Sequence, residues 1–426
     1  MKKLLTILLA ILMVCALAGC QKADEGGEQA AETGKVYYLN FKPEADQAWQ
    51  DLAKKYTELT GVEVKVVTAA SGTYDTSLQN ELGKATQELT LFQLTNDGAV
   101  ATYGDYCADW AGTEPFAEMT THDFDLAKDG KTLGIGYCYE CFGIITNKAL
   151  LKEAGYEISD IKDFASLKAI AEDIHARAGE LGFDAFTNAG LADSSSWRFS
   201  GHLITLPLHY EGVTAKGEIK GTYLNEFKNI WDLYLNNSAT DKVANNTAGD
   251  EAEAEFGTGK AVFYQNGSWE YSALTGDTYG MSADDLQMIP IYCGHAGEEK
   301  AGLCSGTEAH WAINNLASEA DQKATLDFVK WVVTSSEGTK MMAEQFGPIP
   351  FKAAAAPENV FFAQANDLLA QGNYNVSWAF NYTPAVDDFR AGLVTALRDY
   401  AQNNDWSVVE NAFVNGWNAL YAAEAE

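Results

Sequence analysis

Cys138 and Cys141 are separated by two residues, the spacing of a thioredoxin-like redox pair or of half a zinc knuckle. The redox reading requires the pair to open a helix within a βαβ unit, and no such context surrounds it. A four-cysteine zinc site would need Cys293 and Cys304 as its second half, and these lack knuckle spacing. Cys107 brings the cysteines beyond the N-terminal segment to five, an odd number that leaves at least one thiol unpaired. Buried thiols or one structural disulfide are the expectation. His122, His175, His202, His209, His295 and His310 show no metal spacing, and H-E-x-x-H, G-x-S-x-G and P-loop motifs are absent. Asp123 to Asp129 begins like a calcium loop but lacks its ligand order and terminal glutamate. No metal and no cofactor are therefore expected. What remains are carboxylates and flat rings, with 10 Trp, 20 Tyr and 20 Phe to furnish both a core and a lined cleft.

The ends and the charge say where such groups would work. Lys2 and Lys3 precede an apolar run from Leu4 to Val14 that is short for a membrane span, and Leu17-Ala18-Gly19-Cys20 closes it with small residues. Residues 1–19 thus read as a secretory signal. The tetrapeptide resembles the lipobox of bacterial lipoproteins, in which the cysteine, here Cys20, becomes the lipidated first residue. Residues 20–34 are polar and rich in Gly, Ala and Glu, as a flexible tether would be. Against 29 Lys+Arg stand 60 Asp+Glu, a formal net charge of -31. That field repels phosphate backbones and excludes nucleic acid as a partner. With 47% hydrophobic residues the chain is globular, and its length calls for two lobes.

The elements that must position the site follow from periodicity. Lys35 to Phe41 reads as a buried strand, and Pro43 to Thr60 places Trp49, Leu52, Ala53, Tyr56 and Leu59 on one helical face before Gly61 stops it. Val62, Val64 and Val66 alternate in a second strand. A helix from Tyr74 to Glu88 then leads to a third strand at Leu89 to Leu94. This is the pattern of a parallel sheet covered by helices. Ligands bind beyond the carboxyl ends of such strands, which makes Asn40, Phe41 and Asn96-Asp97 candidates to line a cleft. Gly134 to Thr146 is strand-rich. Later, Lys260 to Gln265 forms a strand from which Gly267 turns sharply into Trp269.

The order of these features resembles the extracellular solute-binding proteins typified by the periplasmic maltose-binding protein. Four segments carry the likeness: Glu140 to Leu151 (ECFGIITNKALL), the helix from Asp163 to Ile174, FGTGKAVFYQNGSW, and Cys304 to Phe351 with its Pro-Ile-Pro ending. Thr90 and Thr146 depart from residues usual in that family, an aspartate and a tyrosine. The resemblance implies an α/β fold of two lobes, each a mainly parallel sheet flanked by helices, closing on ligand by hinge bending. It implies a first lobe of 35–139 plus 292–346 and a second of 143–288 plus 351–426. Hinges would fall near 139–142, 289–292 and 347–350. It also implies that Asp97 and Glu140 bond sugar hydroxyls, that Trp269 stacks on the sugar, and that Trp197 lies close by.

A sugar offers a hydroxyl rim and an apolar ring face, which carboxylates and flat aromatics answer respectively. The ligand-binding candidates are Asn40, Phe41, Asp97, Glu140, Trp197, Trp269, Glu270, Glu308, His310, Trp311 and Trp378. Asp97 and Glu140 would equally serve as surface acids or as a salt bridge between lobes. Trp197, Trp311 and Trp378 would equally fill the core, and Glu308 and His310 would equally belong to a solvated loop. The function implied is capture of an oligosaccharide without chemistry and its delivery to the permease of an ATP-driven importer. The chain would be monomeric, held outside the cell membrane by its lipid anchor alone. Two rivals stand beside this: a binder of a cation such as a polyamine, which the acidity suits, and a glycosidase using Asp97 and Glu140.

Overall fold

A computed structural model describes residues 33–70, 73–192, 196–238 and 249–424. The signal segment, Cys20 and nearly all of the tether lie outside the described residues, as does most of the polar stretch between 236 and 249.

Two six-stranded sheets form the frame. The first contains β1 (Val36–Asn40), β2 (Val64–Thr68), β3 (Leu91–Leu94), β4 (Leu126–Lys128), β5 (Lys131–Gly136) and, from far along the chain, β11 (His310–Ile313). Its order is β2-β1-β3-β11-β5-β4. β1 is central and buried on both faces, so its residues divide by period two. Val36 and Tyr38 pack with Trp49, Leu52 and Tyr56 of the helix Asp46–Thr60 and with Phe328 and Val332 of the helix Glu319–Thr334. Tyr37 and Leu39 pack on the opposite face with Leu78, Leu82, Val100 and Tyr103. Gly61, at φ 76°, ends the first helix in the left-handed region that glycine enters without steric cost. Leu59, expected on its apolar face, is exposed.

The second sheet runs β12 (Tyr374–Ser377), β10 (Ala301–Gly306), β6 (Glu140–Asn147), β8 (Ala261–Gly267) and β7 (Asp184–Phe186), with β9 (Leu286–Ile289) also paired to β6. In the first sheet β2, β1 and β3 pair in parallel, as their βαβα pattern predicts. β11, β5 and β4 pair antiparallel, because β5 and β11 carry the chain out of and back into that lobe.

The chain crosses between lobes three times. The first crossover, 137–139, lies within the strand-rich segment Gly134 to Thr146, just ahead of the hinge expected near 139–142, with β5 in one sheet and β6 in the other. The second was expected at 289–292 and lies at 307–309. Past β9, Ile291, Tyr292 and Cys293 stay in the core of the second lobe. Gly294 and Gly297 then reverse the chain with φ 92° and 89°, and β10 returns against β6. Residues 292–306 therefore belong to the second lobe. The third crossover was expected at 347–350 and falls at 353–358. Ile349 and Phe351 remain in the first lobe's core, and the Lys352 N–H donates to the Glu118 carbonyl at 2.9 Å. Beyond the crossing, the Asn359 amide is tied at 2.8 Å to the Ser268 carbonyl in the second lobe.

All five cysteines among the described residues are buried free thiols. No group of three or more His, Cys, Asp or Glu among the described residues is arranged to hold a metal ion. No described helix is long and apolar enough to cross a membrane.

Candidate functional site

Two residues past β1, Lys42 is buried with its ammonium donating to both oxygens of Glu140, at 2.8 and 2.9 Å. Lys42 belongs to the first lobe and Glu140 opens β6 of the second, so the pair bridges the lobes. Asn40 aims it. The Asn40 carbonyl oxygen accepts from the Lys42 N–H at 3.1 Å, and its amide donates to the Lys42 carbonyl at 2.7 Å and to Thr68 Oγ1 at 3.0 Å. Wholly buried, Asn40 spends both amide hydrogens on these bonds and holds the turn that delivers Lys42. Phe41 is half-buried, its ring edge-on to Tyr74 and its N–H on the Gln93 side-chain oxygen at 2.6 Å.

Burial by itself would lower the Lys42 pKa, but the carboxylates of Glu140 and Glu44 outweigh it and raise the value. The Glu44 carboxylate lies 3.7 Å from Lys42 Nζ and keeps 40% of its side chain exposed. Its pKa is nevertheless raised, chiefly by loss of water around it, as befits a carboxylate in a recess rather than on a convex surface. Two more acids share the surroundings. Glu308, on the second crossover, is pushed up to about 7, mostly by burial, with Lys42 and Arg390 opposing and Glu140 adding. Glu270 is pushed up to about 8 by burial and by Glu253. Asn266 donates to one Glu270 oxygen at 2.8 Å, and the other oxygen is buried without a geometrically formed hydrogen bond among the described residues.

Rings complete this recess. The Trp269 indole folds back across Gly267, where a Cβ would come within 2.2 Å of its ring carbons. Glycine is required there by close approach, since its φ of -120° suits any residue. Lys42 Nζ lies 6.0 Å from the Trp269 ring centroid, at the outer reach of a cation–π contact. Trp269 stands 5.2 Å from His202, 6.0 Å from Trp197 and 6.5 Å from Trp378. His202 stacks flat on Phe142 at 4.3 Å, and burial, with Arg390, Arg198 and Lys42 nearby, holds its pKa well below the usual range. Trp197 and Trp269 remain half-buried, so part of each side chain is exposed.

Asp97 is elsewhere. Exposed at the start of the helix Asp97–Tyr103, it lines a cavity of about 320 Å³ together with Asn96, His310, Asn375, Asn381, Tyr382 and Trp378. The crossovers divide cavity from recess by alternation. Tyr139 and Thr307 line the cavity, while their neighbours Glu140 and Glu308 sit beside Lys42. Trp378 touches both, lining the cavity and lying 5.4 Å from Phe142. His310 is buried, hydrogen-bonded through Nδ1 to the Leu94 carbonyl at 2.9 Å, and burial pulls its pKa down to about 4.

Trp311 is a core residue. It is 1% exposed, stacked on Tyr137 at 4.2 Å, and its indole N–H donates to the Tyr38 hydroxyl at 3.3 Å. On β11 successive side chains face opposite ways, so once His310 points toward the cavity Trp311 must enter the core. Of the sequence candidates, the structure brings Glu140, Trp197, Trp269, Glu270 and Glu308 to the recess, Asp97 and His310 to the cavity, and Trp378 between them. It adds Lys42, Glu44, His202 and Arg390. Lys42 had a signal, its place just beyond the carboxyl end of β1.

Two mixed sheets flanked by helices, joined by three crossovers over a recess, define the two-lobed solute-binding architecture. The chain belongs to the bacterial extracellular solute-binding protein family, whose model matches residues 51–370. Among solved structures, the solute-binding protein RafE in complex with raffinose superposes with a TM-score of 0.74 at 15% identity, covering 91% of this chain and 100% of that one. A chitin oligosaccharide binding protein gives a TM-score of 0.69 at 15% identity, covering 92% and 98%. The mannobiose complex of BlMnBP1, from Bifidobacterium animalis subsp. lactis, gives 0.63 at 16%, covering 92% and 95%. At such identities the likeness speaks to the fold. Among curated proteins none matches the sequence significantly.

Proposed function

We propose that this protein captures a sugar or oligosaccharide reversibly between its lobes and hands it, unaltered, to the permease of an ATP-driven importer. The observation that carries the reading is the recess itself, where the half-buried rings of Trp269 and Trp197 adjoin bonded carboxylates at the junction of the lobes. Flat rings match the apolar face of a pyranose, and carboxylates match its rim. Raffinose, chitin oligosaccharide and mannobiose in the names of structural neighbours support the same ligand class. Binding rather than hydrolysis fits the commitment of both Glu140 oxygens to Lys42, which leaves Glu140 a poor nucleophile or base. Cys20 would carry the lipid and residues 20–34 the tether, holding a monomer at the outer face of the cell membrane.

Calorimetry with a glycan panel that includes raffinose, mannobiose and a chitin oligosaccharide tests this, with chromatography of the recovered sugar. Saturable binding of unchanged glycan is expected. Tighter binding of spermidine than of every glycan would sink it in favour of a cation carrier, and released monosaccharide would make it a glycosidase.

A further inference from the structure

The carboxyls of the recess are not equally committed. Both Glu140 oxygens receive Lys42, Glu44 lies 3.7 Å from the same ammonium, and one Glu270 oxygen receives the Asn266 amide. Glu308 differs. Among the described residues its carboxyl has neither hydrogen bond nor ion pair, and its neighbours act on it only through their fields. It sits on the crossover between β10 and β11, half-exposed, where the lobes meet. A half-buried carboxyl without a partner forgoes much of its hydration and gains nothing in return unless something else bonds to it.

We propose that Glu308 is a specificity-determining residue of the recess, accepting a hydrogen bond from a hydroxyl or N–H of the captured ligand and thereby making capture proton-linked. This inference rests on the sugar-capture reading and deepens it. The charged groups that act on Glu308 are Lys42 from the segment after β1, Glu140 from the start of β6, and Arg390 from the helix Val386–Asn403. Lys42 and the Arg390 guanidinium are cations throughout the neutral range. Burial pushes Glu308 up to about 7 and Glu270, in the same recess, up to about 8, and a proton on Glu308 competes with a donor from the ligand. A donor from the ligand stabilises the ionised form and lowers the Glu308 pKa on binding. Affinity therefore rises with pH through that value and levels off above it, by at most about tenfold per pH unit.

The test is calorimetry of the full chain with raffinose, mannobiose and a chitin oligosaccharide between roughly pH 5.5 and 8.5, on wild type and Glu308→Gln. Carbon-13 NMR of the glutamate carboxyls follows the Glu308 titration directly in the ligand-free protein. The wild type is expected to bind more tightly as pH rises. The isosteric Glu308→Gln should lose about tenfold to a hundredfold at high pH, flatten the profile and keep the wild-type melting temperature. A wild type that binds with the same pH profile as Glu308→Gln overturns the inference while leaving sugar capture intact. A Glu308 carboxyl that titrates in the ordinary glutamate range also overturns it. Failure of all three sugars to bind at any pH sinks the capture reading and this inference together.

Discussion

The recess and the cavity are neighbours built on opposite plans. Around Lys42 the protein has gathered charge and locked most of it internally, so that the buried ammonium meets two carboxylate oxygens below 3 Å and Asn40 fixes the turn that delivers it. Around Asp97 the cavity is lined by amides, hydroxyls, carboxylates and the rings of Phe124, Tyr139, Trp378 and Tyr382, with no lysine or arginine among the described residues that line it. The first is a preorganised wall that carries two half-buried indoles. The second is a hollow in which Asp97 is exposed while Asp125 is bonded to His122. Binding strength gathers where groups are already held in place, because little ordering remains to oppose association.

Breaking the wall should have the largest effect. Glu140→Gln leaves the Lys42 charge buried without its partner and is expected to cost about 3–5 kcal/mol of stability, measured by denaturant unfolding. The double variant Lys42→Met with Glu140→Leu should recover most of that. A cost near zero for the single change would mean that water already screens the pair. Next comes Trp269→Ala, expected to weaken sugar binding by about 2–4 kcal/mol with the melting temperature nearly unchanged. Wild-type affinity in that variant removes the recess from the binding site. Smallest is Asp97→Asn, which should leave stability within about 0.5 kcal/mol and reduce affinity about fivefold. A loss as large as that of Trp269→Ala would make cavity and recess one continuous site.

How far this was legible depended on whether a residue's fate was decided locally. The stripe of Trp49, Leu52, Ala53 and Tyr56 and the stop at Gly61 are local, and the structure repeats them. So is the turn at Gly267 that frees Trp269 from any helical stripe. Lobe membership is not local. The resemblance implied the first lobe for residues 292–306, and their own pattern could not correct it, because period two says which face a strand buries and nothing of its partner. His310 and Trp311 were indistinguishable for the same reason, since only pairing with β3 and β5 sets the phase. Lys42 was passed over because a lysine after a strand is ordinarily solvated, and its burial depends on Glu140, 98 residues further on. Glu140 stood from the start between sugar ligand and bridge between lobes, and the structure places it in the bridge.

β11 deserves a last consequence. It fills the gap between β3 and β5, yet it comes from residue 310 onward, long after its neighbours have been synthesised. Until then the first sheet exists as two unjoined pieces, each with a naked edge able to template pairing with another chain. A strand of such distant origin delays assembly, since its closure entropy must be met before its contacts form. Fragments that end before residue 310 should therefore aggregate rather than fold, and growth of the native first sheet should be among the slowest events in the maturation of this chain.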